Sequence, residues 1–165
     1  MLPLTLIASQ KVADLLIQGN ALQTQIDAIA AQANKTIPTI DSAQIVISSV
    51  APDVADKDIQ LLYPRVCLYS NIVKNAQTEK FRSFSGAVGV VSEVWASANL
   101  VTQVDDWIHY YVEAITGILR INVGDWSDGM FFSGRYDVKF QQPKTGGLGF
   151  VESAAITCSI EASLS

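Results

Sequence analysis

Apolar and small residues recur at Ala8, Val12, Leu15, Gly19, Leu22, Ile26, Ile29 and Ala33, in alternating steps of four and three. That spacing keeps one helical face continuous and predicts one long helix from about Leu4 to Asn34. Gly19-Asn20 is its weak point, because a mid-helix glycine costs about 1 kcal/mol relative to alanine and can bend or split the segment. Pro38 then ends any helical tendency.

The pattern next shortens to strand-like runs. Gln44 to Val50 is β-branched and predicts a strand, whereas Ala51 to Tyr63, with Pro52 and several charges, predicts a connector with at most one helical turn. After Pro64, Arg65 to Val73 and Ser85 to Ala96 are β-rich runs separated by the polar segment Lys74 to Phe84. They predict an antiparallel pair joined by a long exposed loop.

A second helix is expected from about Gln103 to Arg120, with Thr102 as its cap and Asp105 and Asp106 in its first turn, opposing the helix dipole. Its core face reads Val104, Trp107, Ile108, Tyr111, Ile115, Ile118 and Leu119. Near the end, Tyr136, Val138 and Phe140 alternate with polar residues, as do Ala154, Ile156, Cys158 and Ile160, with a turn at Pro143 to Gly147. The order predicts an α+β fold in one domain over 1–165: a mostly antiparallel sheet with the long N-terminal helix and the second helix packed on one face. Residues 1–60 form an N-terminal helical extension with an extra strand, and 61–165 form the core sheet and helix. No internal repeat or low-complexity segment interrupts this plan.

Composition adds two constraints. The chain has 165 residues, enough to bury one substantial core, and its 49% hydrophobic and 16% charged content is richer in apolar groups than a monomer needs, which favours an oligomer. A net charge of −5 disfavours a phosphate-tracking surface, because non-specific nucleic-acid affinity comes from Lys and Arg displacing counterions. Cys67 and Cys158 stand far apart in strand-like runs and are expected to be buried reduced thiols. The opening residues lack the basic region of a secretory signal, and no run approaches the roughly 20 apolar residues of a membrane span, so a soluble cytoplasmic protein is expected. The acceptor triplet Asn34-Lys35-Thr36 then has no secretory context.

The search for chemistry yields little. His109 is the single histidine and sits within the second helix, so one chain offers no imidazole cluster for a metal, and no GxSxG elbow accompanies it. Gly124 to Gly129 holds Asp125 and Asp128 but lacks the other ligands of a calcium loop and is read as a turn. Lys144 to Gly149 is glycine-rich, yet its Lys precedes the glycines and a strand follows, so a hairpin is expected rather than a phosphate cradle. Asp105 and Asp106 point about 100° apart on a helix, and capping explains them better than acid–base work. No catalytic group, cofactor or metal is expected. Phe81, Phe84, Trp126 and Phe131 are aromatics in loop regions, where such side chains anchor interfaces, although about half should prove to be ordinary core.

The segments YPRVCLYSNIVKNAQTEKFRSFSGAVGVVSEVW, DDWIHYYVEAITGILR and YDVKFQQPKTGGLGFVESAAITCSIEA, about residues 60 to 162, resemble the tail-terminator or tail-completion proteins of long-tailed phages and phage-like particles. The carriers are a strand entered through Tyr63-Pro64, a long hairpin loop, a helix flanked by strands, and a closing hairpin with Lys-x-Gly-Gly. The resemblance implies a virion structural subunit assembled in the bacterial host cytoplasm. Such a subunit forms a ring, usually a hexamer, that caps the tail tube and joins it to the head connector, with DNA passing through. Its partners would be itself, the tail tube protein and head–tail connector proteins. Contact loops then matter most: Lys74, Lys80, Phe81, Arg82 and Phe84 in the first candidate loop, and Asp125, Trp126, Asp128 and Phe131 in the second. The alternatives are a head-closure or neck adaptor subunit, a cytosolic small-molecule binding module with a pocket between helix and sheet, and, third, an enzyme that uses either a site shared between subunits or a carboxylate pair not located by sequence.

Overall fold

The computed structural model describes residues 3–50, 63–76 and 80–165. The expected N-terminal helix is present but split. Helix α1 spans Leu4–Ile17 and α2 spans Ala21–Ala33, with one 3-10 turn at Gln18–Asn20 between them. Gly19 (φ 61°) and Asn20 (φ 55°) are both left-handed there, the conformation that Gly adopts freely and Asn tolerates. Asn34 (φ 52°) closes α2 in the same conformation, its N–H reaching back to the carbonyls of Ala30 and Ala31.

Strand β1 (Ile45–Ile47) is shorter than the run that predicted it. It pairs in parallel with β2 (Arg65–Asn75), and β2 pairs antiparallel with β3 (Phe84–Ala98). The connector expected at Ala51 to Tyr63 lies outside the described residues except for Tyr63. Helix α3 (Val101–Ile121) follows β3, then β4 (Gly124–Asp125), β5 (Met130–Phe140), β6 (Lys144–Gly146) and β7 (Gly149–Leu164). The strands line up as β1-β2-β3-β7-β5-β4, with β6 on the end of β7. The fold is therefore α+β with a mixed, mostly antiparallel sheet. Lys144 to Gly149 does form a hairpin, and Gly124 to Gly129 does form a turn.

Helices α1 and α3 pack on one sheet face, and their apolar sides merge with it into one core. Val12 and Leu16 from α1, Ile108 and Ile115 from α3, and Val90 and Ile156 from the sheet are all buried there. The apolar side of the N-terminal helix thus meets its own core. Tyr111 is fully buried and donates its hydroxyl to the Pro38 carbonyl at 2.7 Å, anchoring the segment that carries the buried Ile37 and Ile40. A smaller cluster of Cys67, Trp95 and Val151 lies on the opposite face. Both thiols are buried and free, and they sit on opposite sides of the sheet.

Helix α3 departs from expectation at its start. It begins at Val101 after Leu100, with no side-chain cap, so Thr102 lies inside the helix and the two aspartates fall past the first turn. Each is engaged elsewhere: Asp106 pairs with Lys35 at the end of α2, and Asp105 faces Glu152 of β7 and His109 one turn on. Long-range contacts, not the helix dipole, account for them. His109 lies on the exposed side, its ring stacked 4.7 Å from that of Phe140.

Candidate subunit-contact surface

Alternation along each strand decides which side chains leave the core. Val88, Ile160 and Phe132 point into it, so their neighbours Ala87, Glu161 and Phe131 point to the face free of helices. Strand pairing extends this set: Lys74 is opposite Ala87, Ala87 opposite Glu161, Glu161 opposite Phe131, and Phe131 opposite Asp125. These residues form a single row across β2, β3, β7, β5 and β4. Its β2 end is basic and its β4 side is acidic. The two candidate loops, separate in sequence, therefore lie at the same end of the sheet, with the end of β7 between them.

An open groove of about 460 Å³ runs along this row, with Lys74, Glu161 and Phe131 among its walls and Gly86 and Gly129 in its floor. The floor is low because side chains do not fit. Gly129 has φ 72°, and a Cβ there would lie 2.2 Å from the carbonyl oxygen of Ser163, whose own N–H bonds the Gly129 carbonyl. At Gly86 a Cβ would lie 1.8 Å from the Lys74 carbonyl oxygen. Phe131 is 45% exposed beside this floor.

The first loop reaches past the groove. Phe81 is 100% exposed at φ 68°, between the exposed Lys80 and Arg82. Its base is fixed by Ser83, whose N–H donates to the Leu164 carbonyl at 2.9 Å. Phe84 is different from the tip residues: it opens β3 opposite Leu164, is half-buried and packs against the core.

In the second loop, two residues named from sequence as contacts are engaged within the chain. Trp126 is half-buried, stacks 5.0 Å from Phe132 and donates its indole N–H to the Asn122 carbonyl at 2.7 Å. Asp128 forms an ion pair with Lys11 at 2.7 Å. The Asp125 carboxylate accepts from the Ser127 N–H at 2.8 Å, an Asx-type contact that supports the left-handed Ser127 and Asp128. Of the aromatics named from sequence, Phe81 and Phe131 are outward and Phe84 and Trp126 belong to the packing.

The sequence pattern set Glu161 on the side opposite Ile156, Cys158 and Ile160 without giving it a role, and it passed over Glu152, although period-2 counting along β7 carried the signal. With Ile156, Cys158 and Ile160 inward, Glu161 must face out and Glu152 must face in. Glu152 is 3% exposed, and one carboxylate oxygen has no hydrogen-bond partner. Burial first, and then the neighbouring Asp105 carboxylate and the hydrogen bond they share, push its pKa up to about 7. On the open face Tyr69 donates to Glu93 at 3.1 Å, and burial together with that carboxylate raises the phenol to about 12. Among the described residues no group of three His, Cys, Asp or Glu side chains could hold a metal ion, and no helix is long and apolar enough to cross a membrane.

No family model matches this sequence, and comparison with curated proteins gives no significant match.

Proposed function

We propose that this chain is a structural subunit of a phage or phage-like tail neck, a ring-forming tail terminator that caps the tail tube and joins it to the head connector. The observation that carries this reading is the polar row from Lys74 to Asp125, with exposed Phe131 and the projecting Phe81 at one end of the sheet. Large exposed aromatics beside charges of both signs are interface chemistry rather than catalytic chemistry. The resemblance over about residues 60 to 162 adds the family, and with it the tube protein and connector as partners.

The sheet leaves backbone available for partners. Among the described residues β1 covers β2 only at Val66 to Leu68 and β4 covers β5 only at Phe131 and Phe132, so no described strand pairs with the distal β2 edge that carries exposed Ile72 and Val73. A pocket between helix and sheet, which a small-molecule module would need, is filled there by Tyr111, Ile115, Phe132 and Ile156, all fully buried. In this reading the chain acts through contact surfaces, without cofactor or catalytic group, in the virion neck after assembly in the host cytoplasm.

Co-sedimentation of the purified chain with open-ended tail tubes tests the proposal. Saturable binding, at a ratio of one ring per tube and weakened by combined Lys74→Glu, Lys80→Glu and Arg82→Glu, is the expected result. A chain that stays in the supernatant at all tube concentrations overturns it.

A further inference from the structure

We infer that the groove beside Phe131 receives the Lys80-Phe81 tip of a second copy of this chain, head to tail. The inference rests on the assembly reading above and names the contact it leaves open. Phe81 is wholly exposed and, with Ser83 and Phe84 both tied to Leu164, it stands outside its own molecule's groove. Burying an unsupported phenyl ring is favourable only if something complementary covers it. The groove offers a glycine floor, an exposed phenyl wall in Phe131, and room of about 460 Å³.

Charge chooses the occupant. Phe131 stands between the carboxylates of Glu161 and Asp125 on the cross-strand row, and Phe81 stands between Lys80 and Arg82 in the chain. Ring on ring therefore brings acid against base on both sides. The arrangement is also polar: the tip and Lys74 belong to the β2–β3 side of the row, and the acidic residues to the β7–β5–β4 side. Opposite ends of the same row attract, while like ends repel, which selects tip-to-groove contact; made head to tail it repeats around a ring, the arrangement the assembly reading requires, whereas made reciprocally it would close a two-fold dimer. One aromatic anchor is too small an interface to hold two subunits alone, and the exposed Ile72 and Val73 of β2, on an edge that no described strand pairs with, extend the contact.

The test is sedimentation velocity of the full chain over a concentration series, with Phe81→Ala, Glu161→Lys, Lys80→Glu and the combined Lys80→Glu/Glu161→Lys variant. All three positions are exposed, and thermal melting checks that each variant folds. The wild type is expected to self-associate, each single variant to weaken association by about tenfold or more, and the charge swap to recover part of that loss. Association that no variant changes overturns the tip-in-groove contact while leaving ring assembly intact. Variants that lose tube binding but keep wild-type association assign the groove to the tube protein and overturn the second copy as its occupant. A wild-type chain that stays monomeric at its highest soluble concentration overturns the contact between copies, and tube capping then decides the function separately.

Discussion

The Lys11 ammonium of α1 lies 2.7 Å from the Asp128 carboxylate and 2.8 Å from the Trp126 carbonyl oxygen. One side chain thus fastens the β4–β5 turn to the N-terminal helix. The two bonds are not equivalent, because Asp128 is 69% exposed and its ion pair is solvent-screened. Asp128→Asn, which removes the charge but keeps a residue that tolerates φ 57°, should cost no more than about 0.5 kcal/mol, whereas Lys11→Ala, which also strips the carbonyl, should cost about 1 kcal/mol. Urea denaturation of both single variants and the double variant measures this. The double variant should be no less stable than Lys11→Ala alone; additive losses contradict the shared-lysine account.

Glu152 makes stability depend on pH with a definite sign. Its carboxyl is buried against Asp105 and titrates at about 7 in the folded chain, against 4.5 as the ordinary value. A raised folded-state value means the contribution is fully present below about pH 4.5 and is lost as pH rises through about 7. His109 is the other titratable group beside Asp105, at 4.0 Å. Glu152→Gln keeps the shape without the charge, so its unfolding free energy should exceed the wild type's above pH 7 by up to about 3 kcal/mol and match it only below about pH 4.5. Parallel wild-type and variant stability profiles across that range contradict this assignment.

Gly129 tests whether the groove floor is built or incidental. Alanine there must hold φ 72° and place its Cβ 2.2 Å from the Ser163 carbonyl oxygen. Gly129→Ala should destabilise the chain by roughly 1–3 kcal/mol and expose the Ser163 amide to hydrogen exchange, since that amide bonds the Gly129 carbonyl. Unchanged exchange at Ser163 contradicts it.

Trp126 and Phe131 are close in sequence and opposite in role. Trp126→Phe removes the indole bond to Asn122 and should lower stability by about 1 kcal/mol without altering association. Phe131→Ala removes a ring that is 45% exposed and should weaken association with little effect on melting temperature. Calorimetry and sedimentation of the pair separate the roles; the reverse pattern contradicts the placement of both.

Much of this was legible in the sequence, and the remainder was hidden for identifiable reasons. Steps of three and four located the N-terminal helices, and Gly19-Asn20 was recognisable as their weak point because backbone preference is local. The start of α3 was misjudged because Thr102 and two aspartates imitate a cap, while their actual partners, Lys35 and Glu152, come from distant segments. Trp126 and Asp128 look like contact residues in a polar turn; their partners Phe132, Asn122 and Lys11 become visible only after folding. The cross-strand row from Lys74 to Asp125 depends on register between five strands, which no local pattern supplies.

The central claim is that the chain assembles into a ring at one end of a tail tube. Negative-stain electron microscopy of the purified protein, alone and mixed with open-ended tail tubes, reads it directly. The account predicts closed rings or capped tube ends, with caps confined to one end of each tube. A chain seen only as separate particles beside uncapped tubes contradicts it.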